Sequence, residues 1–136
     1  MRKSHPVLMI CFFLCGCSYG YDIITRATPI TTKAFPPANS NPIELYYEDN
    51  NFKITRPYEQ LAMIEIQGTE SSSPSKLLQE MRKKAAEIGA DAVISITQHY
   101  IVRERGEIAS EVLDKDKNKP EKYDTISLTG IAIKYQ

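Results

Sequence analysis

Ser71-Ser72-Ser73-Pro74-Ser75-Lys76-Leu77-Leu78-Gln79-Glu80-Met81-Arg82-Lys83-Lys84-Ala85-Ala86-Glu87-Ile88-Gly89-Ala90-Asp91-Ala92-Val93-Ile94-Ser95-Ile96-Thr97 is the stretch on which the fold turns, because it reads as one amphipathic helix feeding directly into one strand. Ser73 supplies a side-chain acceptor where a helix N-cap is wanted, and Pro74 suits the first helical position, whose N–H has no helical partner anyway. The spacing predicts a helix over 74–88. Leu77, Leu78, Met81, Ala85 and Ile88 fall on one stripe, with Arg82, Lys83 and Glu87 turned to solvent. Glu80 and Lys84 stand four apart in the favourable order for an ion pair. Gly89 falls just past the helix, where a left-handed backbone costs glycine little. The strand then covers 92–97, with an extension to Val102, and the small residues Ala85, Ala86, Ala90 and Ala92 let helix and sheet approach closely. These are packing residues; none is catalytic in type.

Upstream, 61–67 is a strand with Ala62, Ile64 and Ile66 on one face, ended by Gly68. Ile43-Glu44-Leu45-Tyr46-Tyr47 is an earlier strand, followed by the turn cluster Asp49-Asn50-Asn51. Downstream, 103–112 fits neither period and has a bend at Gly106, while 114–122 is a polar loop. The last strand covers 125–135. Ile126 and Leu128 share one parity and Ile131 and Ile133 the other, with Gly130 between them. Either a bulge at Gly130 brings all four to one face, or a straight strand is buried on both faces. Over 43–136 the order is strand, strand, helix, strand, strand, which predicts a single α+β domain with one helix on a small antiparallel or mixed sheet.

The chain has 136 residues, room for one domain, and carries 17 basic and 17 acidic side chains. Balanced, interspersed charge lacks the clustered basic surface that nucleic acid selects, so nucleic acid is excluded as a partner. At the N-terminus, Arg2 and Lys3 precede an apolar run over 7–14, the pattern of a secretory signal and far short of the roughly 20 residues that cross a bilayer. The run ends in Leu14-Cys15-Gly16-Cys17, which resembles the lipobox of bacterial lipoproteins. That resemblance implies cleavage of the signal peptide 1–16 and a diacylglycerol on Cys17, with a further acyl chain such as palmitate. Ser18 in the next position resembles an outer-membrane address, so the expected location is the outer membrane with the domain facing the periplasm. Loss of 1–16 removes Cys11 and Cys15, leaving Cys17 as the one mature cysteine and no route to an intramolecular disulfide or a thiolate metal site. Residues 17–42 hold Pro29, Pro36, Pro37 and Pro42 with no apolar period, and are expected to be a flexible linker, with Tyr21 and Phe35 available to pack on the domain.

Three segments carry a family resemblance: Met63-Ile64-Glu65-Ile66-Gln67-Gly68, the helix-to-strand junction Ala85-Ala86-Glu87-Ile88-Gly89-Ala90-Asp91-Ala92-Val93-Ile94, and Thr129-Gly130-Ile131-Ala132-Ile133. Over roughly 60–136 the chain resembles the YbjQ-like family, also called the heavy-metal-binding domain, whose fold is shared by the Rcs stress-sensing outer-membrane lipoprotein. The resemblance implies that fold, and a sensor, a metal-binding domain or a ring-forming oligomer as the kind of function.

No catalytic set and no cofactor motif stand out. His99 is the single mature histidine and the one conventional base for a nucleophilic hydrolase, but a lone strand histidine fits a half-exposed sheet position better. Gly68 with Ser71, Ser72 and Ser73 is a helix start rather than an anion cradle. Glu104, Glu107 and Glu111 could serve a hard cation, but they alternate with Arg103 and Arg105 as a solvated face does. Tyr46, Tyr47 and Tyr58 form a candidate aromatic patch beside the first strand, whose edge could pair with a second copy or a partner strand. The expected function is therefore a lipid-anchored, non-catalytic interaction or sensor module, alone or as a homo-oligomer, with the membrane and an envelope protein as partners. The alternative is a small-ligand or metal-binding oligomeric domain. Cys17 is the one residue assigned a chemistry, lipidation.

Overall fold

The computed structural model describes residues 17–38, 42–48, 53–113 and 119–136. The expected signal peptide 1–16, the expected turn cluster Asp49-Asn50-Asn51 and positions 114–118 of the expected polar loop lie outside them. The elements in chain order are β1 (Ser18–Tyr19), β2 (Ile24–Pro29), β3 (Glu44–Tyr47), β4 (Tyr58–Gln67), α1 (Pro74–Glu87), β5 (Ala92–Glu107), α2 (Ile108–Leu113) and β6 (Glu121–Tyr135). The class is α+β, as the pattern predicts. Two compact units divide it, one from residues up to Tyr21 with Arg103–Tyr123, the other from Asp22–Val102 with Asp124–Gln136.

The larger unit holds α1 and strands in the order β3, β5, β6, β4, β2. β4 pairs antiparallel with β2 and β6, whereas β3 runs parallel to β5, so the sheet is mixed. α1 begins where the cap chemistry places it: the Lys76 N–H donates to Ser73 Oγ at 3.3 Å. Leu77, Met81 and Ala85 are fully buried on its inner stripe. Lys84 pairs with Glu87 at 3.1 Å and not with Glu80, because the i+3 neighbour is equally within reach on a helix surface. Gly89 has φ +78°, and a Cβ there would run into the Pro36 carbonyl.

β6 is straight at Gly130, which stays in register opposite Ile64. The two parities of the last strand belong to two faces: Leu128 and Ala132 join Ile64, Ile66 and α1 in the main core, while Ile133 joins Ala92 and Ile94 in a second cluster on the other face. The irregularities sit elsewhere. One extra residue at Leu61 in β4 buries Leu61 and Ala62 side by side. Another in β5 places Ser95 at φ +52° and lets both Val93 and Ile96 reach the main core.

Residues 17–42 are not a linker throughout. Ile24–Pro29 form the edge strand β2, paired with β4 over six residues, and Phe35 and Ala38 pack on the main core, with the Ala38 N–H donating to Ala86 O at 2.9 Å. An edge strand needs one inward residue in two, and here Ala27 supplies it with too little apolar signal to register as a strand.

The smaller unit corrects the reading of 103–113 and of 121–122. β5 continues to Glu107, α2 follows, and Glu121 and Lys122 belong to β6 rather than to a loop. Charge pairing and rings hold these strand ends in place of an apolar period. Arg105 donates to Glu121 at 2.9 Å, Lys122 lies 3.5 Å from Glu104, and the Arg103 and Arg105 guanidinium groups stand 5.9 and 5.5 Å from the Tyr123 ring centre. β1 pairs with β5 through Ser18 opposite Glu107 and Tyr19 opposite Gly106.

Candidate functional site

A polar constellation of the larger unit lies where β3, β6 and the start of β5 meet. Residues two apart on a strand share a face, so Glu44 and Tyr46 lie together on β3, and the Tyr46 hydroxyl donates to Glu44 Oε2 at 2.7 Å. Tyr135, at the end of β6, donates its hydroxyl to the same oxygen, also at 2.7 Å. Asp91 fixes the backbone behind them: Oδ1 accepts from Lys134 Nζ and Oδ2 from the Tyr135 N–H, both at 2.9 Å. The Arg56 guanidinium lies 4.2 Å from the Tyr135 ring centre, a cation held on an aromatic face.

These contacts set the electrostatics. Two phenol donors, Tyr46 before Tyr135, hold the Glu44 carboxyl below the usual carboxylate range, so Glu44 is a fixed negative charge at neutral pH. The Tyr46 phenol is pushed up by donating to Glu44, and that of Tyr135 is pushed up first by burial and then by the same carboxylate. Both tyrosines are hydrogen-bond donors at neutral pH and not nucleophiles.

Two grooves flank Glu44 and Tyr46. One, of about 570 Å³, is lined by Glu44, Arg56, Asp91, Lys134 and Tyr135. The other, of about 390 Å³, is lined by Tyr46, Tyr47 and Tyr58 with Lys53, Ile54 and Ile94. The structure thus brings the three tyrosines of the candidate patch to one groove, where Tyr47 and Tyr58 are 39% and 38% exposed. Tyr135, Arg56 and Asp91 are additions that sequence reasoning missed, since contacts spanning as many as 91 positions leave no local pattern.

The other candidates stand apart. His99 is exposed on β5, with Nε2 3.0 Å from Thr97 Oγ1, which is in turn 2.7 Å from Thr129 Oγ1. The Gly68 N–H donates to Ile126 O at 2.8 Å, so it is spent in the sheet. Glu104 faces Lys122, and Glu111 accepts from the Tyr19 hydroxyl at 2.7 Å, which pushes that phenol up to about 12. Among the described residues no group of three His, Cys, Asp or Glu side chains is placed to hold a metal ion, and no helix is long and apolar enough to cross a membrane. Cys17 is exposed, and its carbonyl accepts the Ile108 N–H at 3.1 Å.

No family model and no curated protein matches this chain. Among solved structures it is similar to the Francisella virulence factor FvfA in its orthorhombic crystal form. The identity is 15% and the TM-score 0.48, over 82% of this chain and 97% of that one.

Proposed function

We propose that this chain is a lipid-anchored envelope protein, attached to the outer membrane through Cys17 and acting without catalysis as an interaction module. The anchor rests on the signal pattern and on Leu14-Cys15-Gly16-Cys17. The interaction reading rests on one observation: Tyr46, Tyr47 and Tyr58 surround a single groove beside the ionised Glu44. Aromatic walls give contact area at small entropic cost, and a carboxylate among phenol rings suits a cation. Glu44 already accepts two hydroxyls on Oε2, and a carboxylate has further acceptor sites on its other oxygen. The partner this chemistry fits is an envelope protein segment that presents a lysine or arginine to Glu44 and lays apolar groups along the tyrosines.

The test is photocrosslinking in intact cells with benzoylphenylalanine in place of Tyr47. The reading predicts one dominant adduct of defined mass, lost when Glu44→Gln is added. Recovery of the uncrosslinked chain alone, or adducts indifferent to Glu44→Gln, would overturn it. A second copy of the chain as the adduct would identify the partner as self.

A further inference from the structure

We infer that α2 is a second membrane contact, its apolar side chains sinking into the lipid surface to which Cys17 is attached. The inference rests on the anchor proposed above and adds to it the short helix α2. α2 is six residues long, and three of them are large apolar side chains held in water: Ile108 is 50% exposed, Val112 66% and Leu113 86%. Ile108 and Val112 lie one turn apart on one face, with Leu113 beside them. Scattered exposed apolar residues are ordinary, but a cluster on one short element marks a contact surface.

What covers that surface follows from where α2 is fastened. Its first N–H, that of Ile108, donates to the carbonyl of Cys17 at 3.1 Å. Glu111, one turn on, accepts from the Tyr19 hydroxyl at 2.7 Å, and Ser18 and Tyr19 pair with Glu107 and Gly106 just ahead of the helix. The lipid-bearing residue is therefore hydrogen-bonded to α2 with no free tether between them. Acyl chains rooted on Cys17 bring the headgroup layer to α2, and apolar side chains facing that layer leave water by entering it. The occupant is the lipid surface itself.

The mature lipidated full chain carrying Leu113→Cys, labelled with an environment-sensitive fluorophore, tests this in vesicles of phosphatidylethanolamine and phosphatidylglycerol. Lipid occupies the Cys17 sulfur, so the introduced thiol is the one labelled. An interfacial helix buries its apolar face ~5–10 Å into the headgroup–acyl boundary, so emission should shift to shorter wavelength and fall about twofold or more with nitroxide-bearing lipids. Adding Ile108→Ser and Val112→Ser, both at exposed positions, should relieve that quenching while the chain stays vesicle-bound. Metabolic labelling with palmitate, read on the same chain, separates the two failures. A palmitate-labelled, vesicle-bound chain with water-like and unquenched emission overturns the foot alone. A chain that takes up no palmitate and does not float with vesicles overturns the anchor and the foot together.

Discussion

Gly130 offers the sharpest test of how the sheet is packed. It sits opposite Ile64 in β6, and a Cβ built there would lie 2.6 Å from Val93 Cγ1 and 3.2 Å from Ile96 Cγ1. The first distance is far inside van der Waals contact, and both neighbours are buried members of the main core. Overpacking of this kind costs about 1–3 kcal/mol, so Gly130→Ala should destabilise by about that amount. Val93→Ala alone removes buried methyl groups and should also cost about 1–3 kcal/mol. Together they relieve each other, because the new methyl enters the space that Val93 Cγ1 leaves. The double variant should be more stable than the sum of the singles predicts by about 1 kcal/mol or more. Urea unfolding of the four chains, followed by circular dichroism, measures the coupling. Additivity within ~0.5 kcal/mol, the range for sites that do not touch, would refute the reasoning.

Further expectations follow from the same structure. Ser95 holds φ +52° at the β5 bulge, a conformation that costs an L-residue about 1–2 kcal/mol, partly offset in glycine by its greater chain entropy. Ser95→Gly should therefore raise stability by about 0.5–1 kcal/mol in the same urea assay, and a loss would mean the backbone is not strained there. The Glu44 carboxyl titrates below its unfolded value, so its contribution to stability is present above about pH 4.3 and is lost as the pH falls through the lowered folded value. Glu44→Gln should remove that part of the acid dependence, and an unchanged acid limb of stability against pH would count against the two tyrosine contacts. Tyr19, raised to about 12 by Glu111, contributes stability that is whole below about pH 10 and lost as the pH rises through its folded value. Tyr19→Phe should flatten that alkaline limb, and a limb that persists would place its origin elsewhere.

Much of the larger unit was legible because its signals are local. Ser73, Pro74 and Gly89 mark the two ends of α1 within a few positions, and the α1 stripe needs one turn to declare itself. β2 was not legible, since Ile24-Thr25-Arg26-Ala27-Thr28-Pro29 is held by pairing with β4, a contact some forty positions away. The parity change across Gly130 was visible, but its cause was not: the choice between a bulge and two buried faces depends on Ile94 and Ala92 lying behind Ile133. The far ends of β5 and β6 escaped because Arg105, Glu121 and Tyr123 stabilise them across strands, and such pairs have no period along one strand. The candidate site divides in the same way. Tyr46 and Tyr47 are neighbours that any reading would single out, whereas Glu44 becomes its centre only when Tyr135 arrives from the other end of the chain.

The contact between Ile108 and Cys17 also bears on the proposed anchor: Ser18 and Tyr19 enter β1 at once, so Cys17, the residue proposed to carry lipid, is set into the smaller unit. Intact-mass spectrometry of the protein extracted from cell membranes is the decisive measurement for the proposed anchor. The expected species is a polypeptide that begins at Cys17 and carries the added mass of a diacylglycerol and a further acyl chain. A chain that keeps residues 1–16, or one that begins at Cys17 with no added lipid mass, would contradict it.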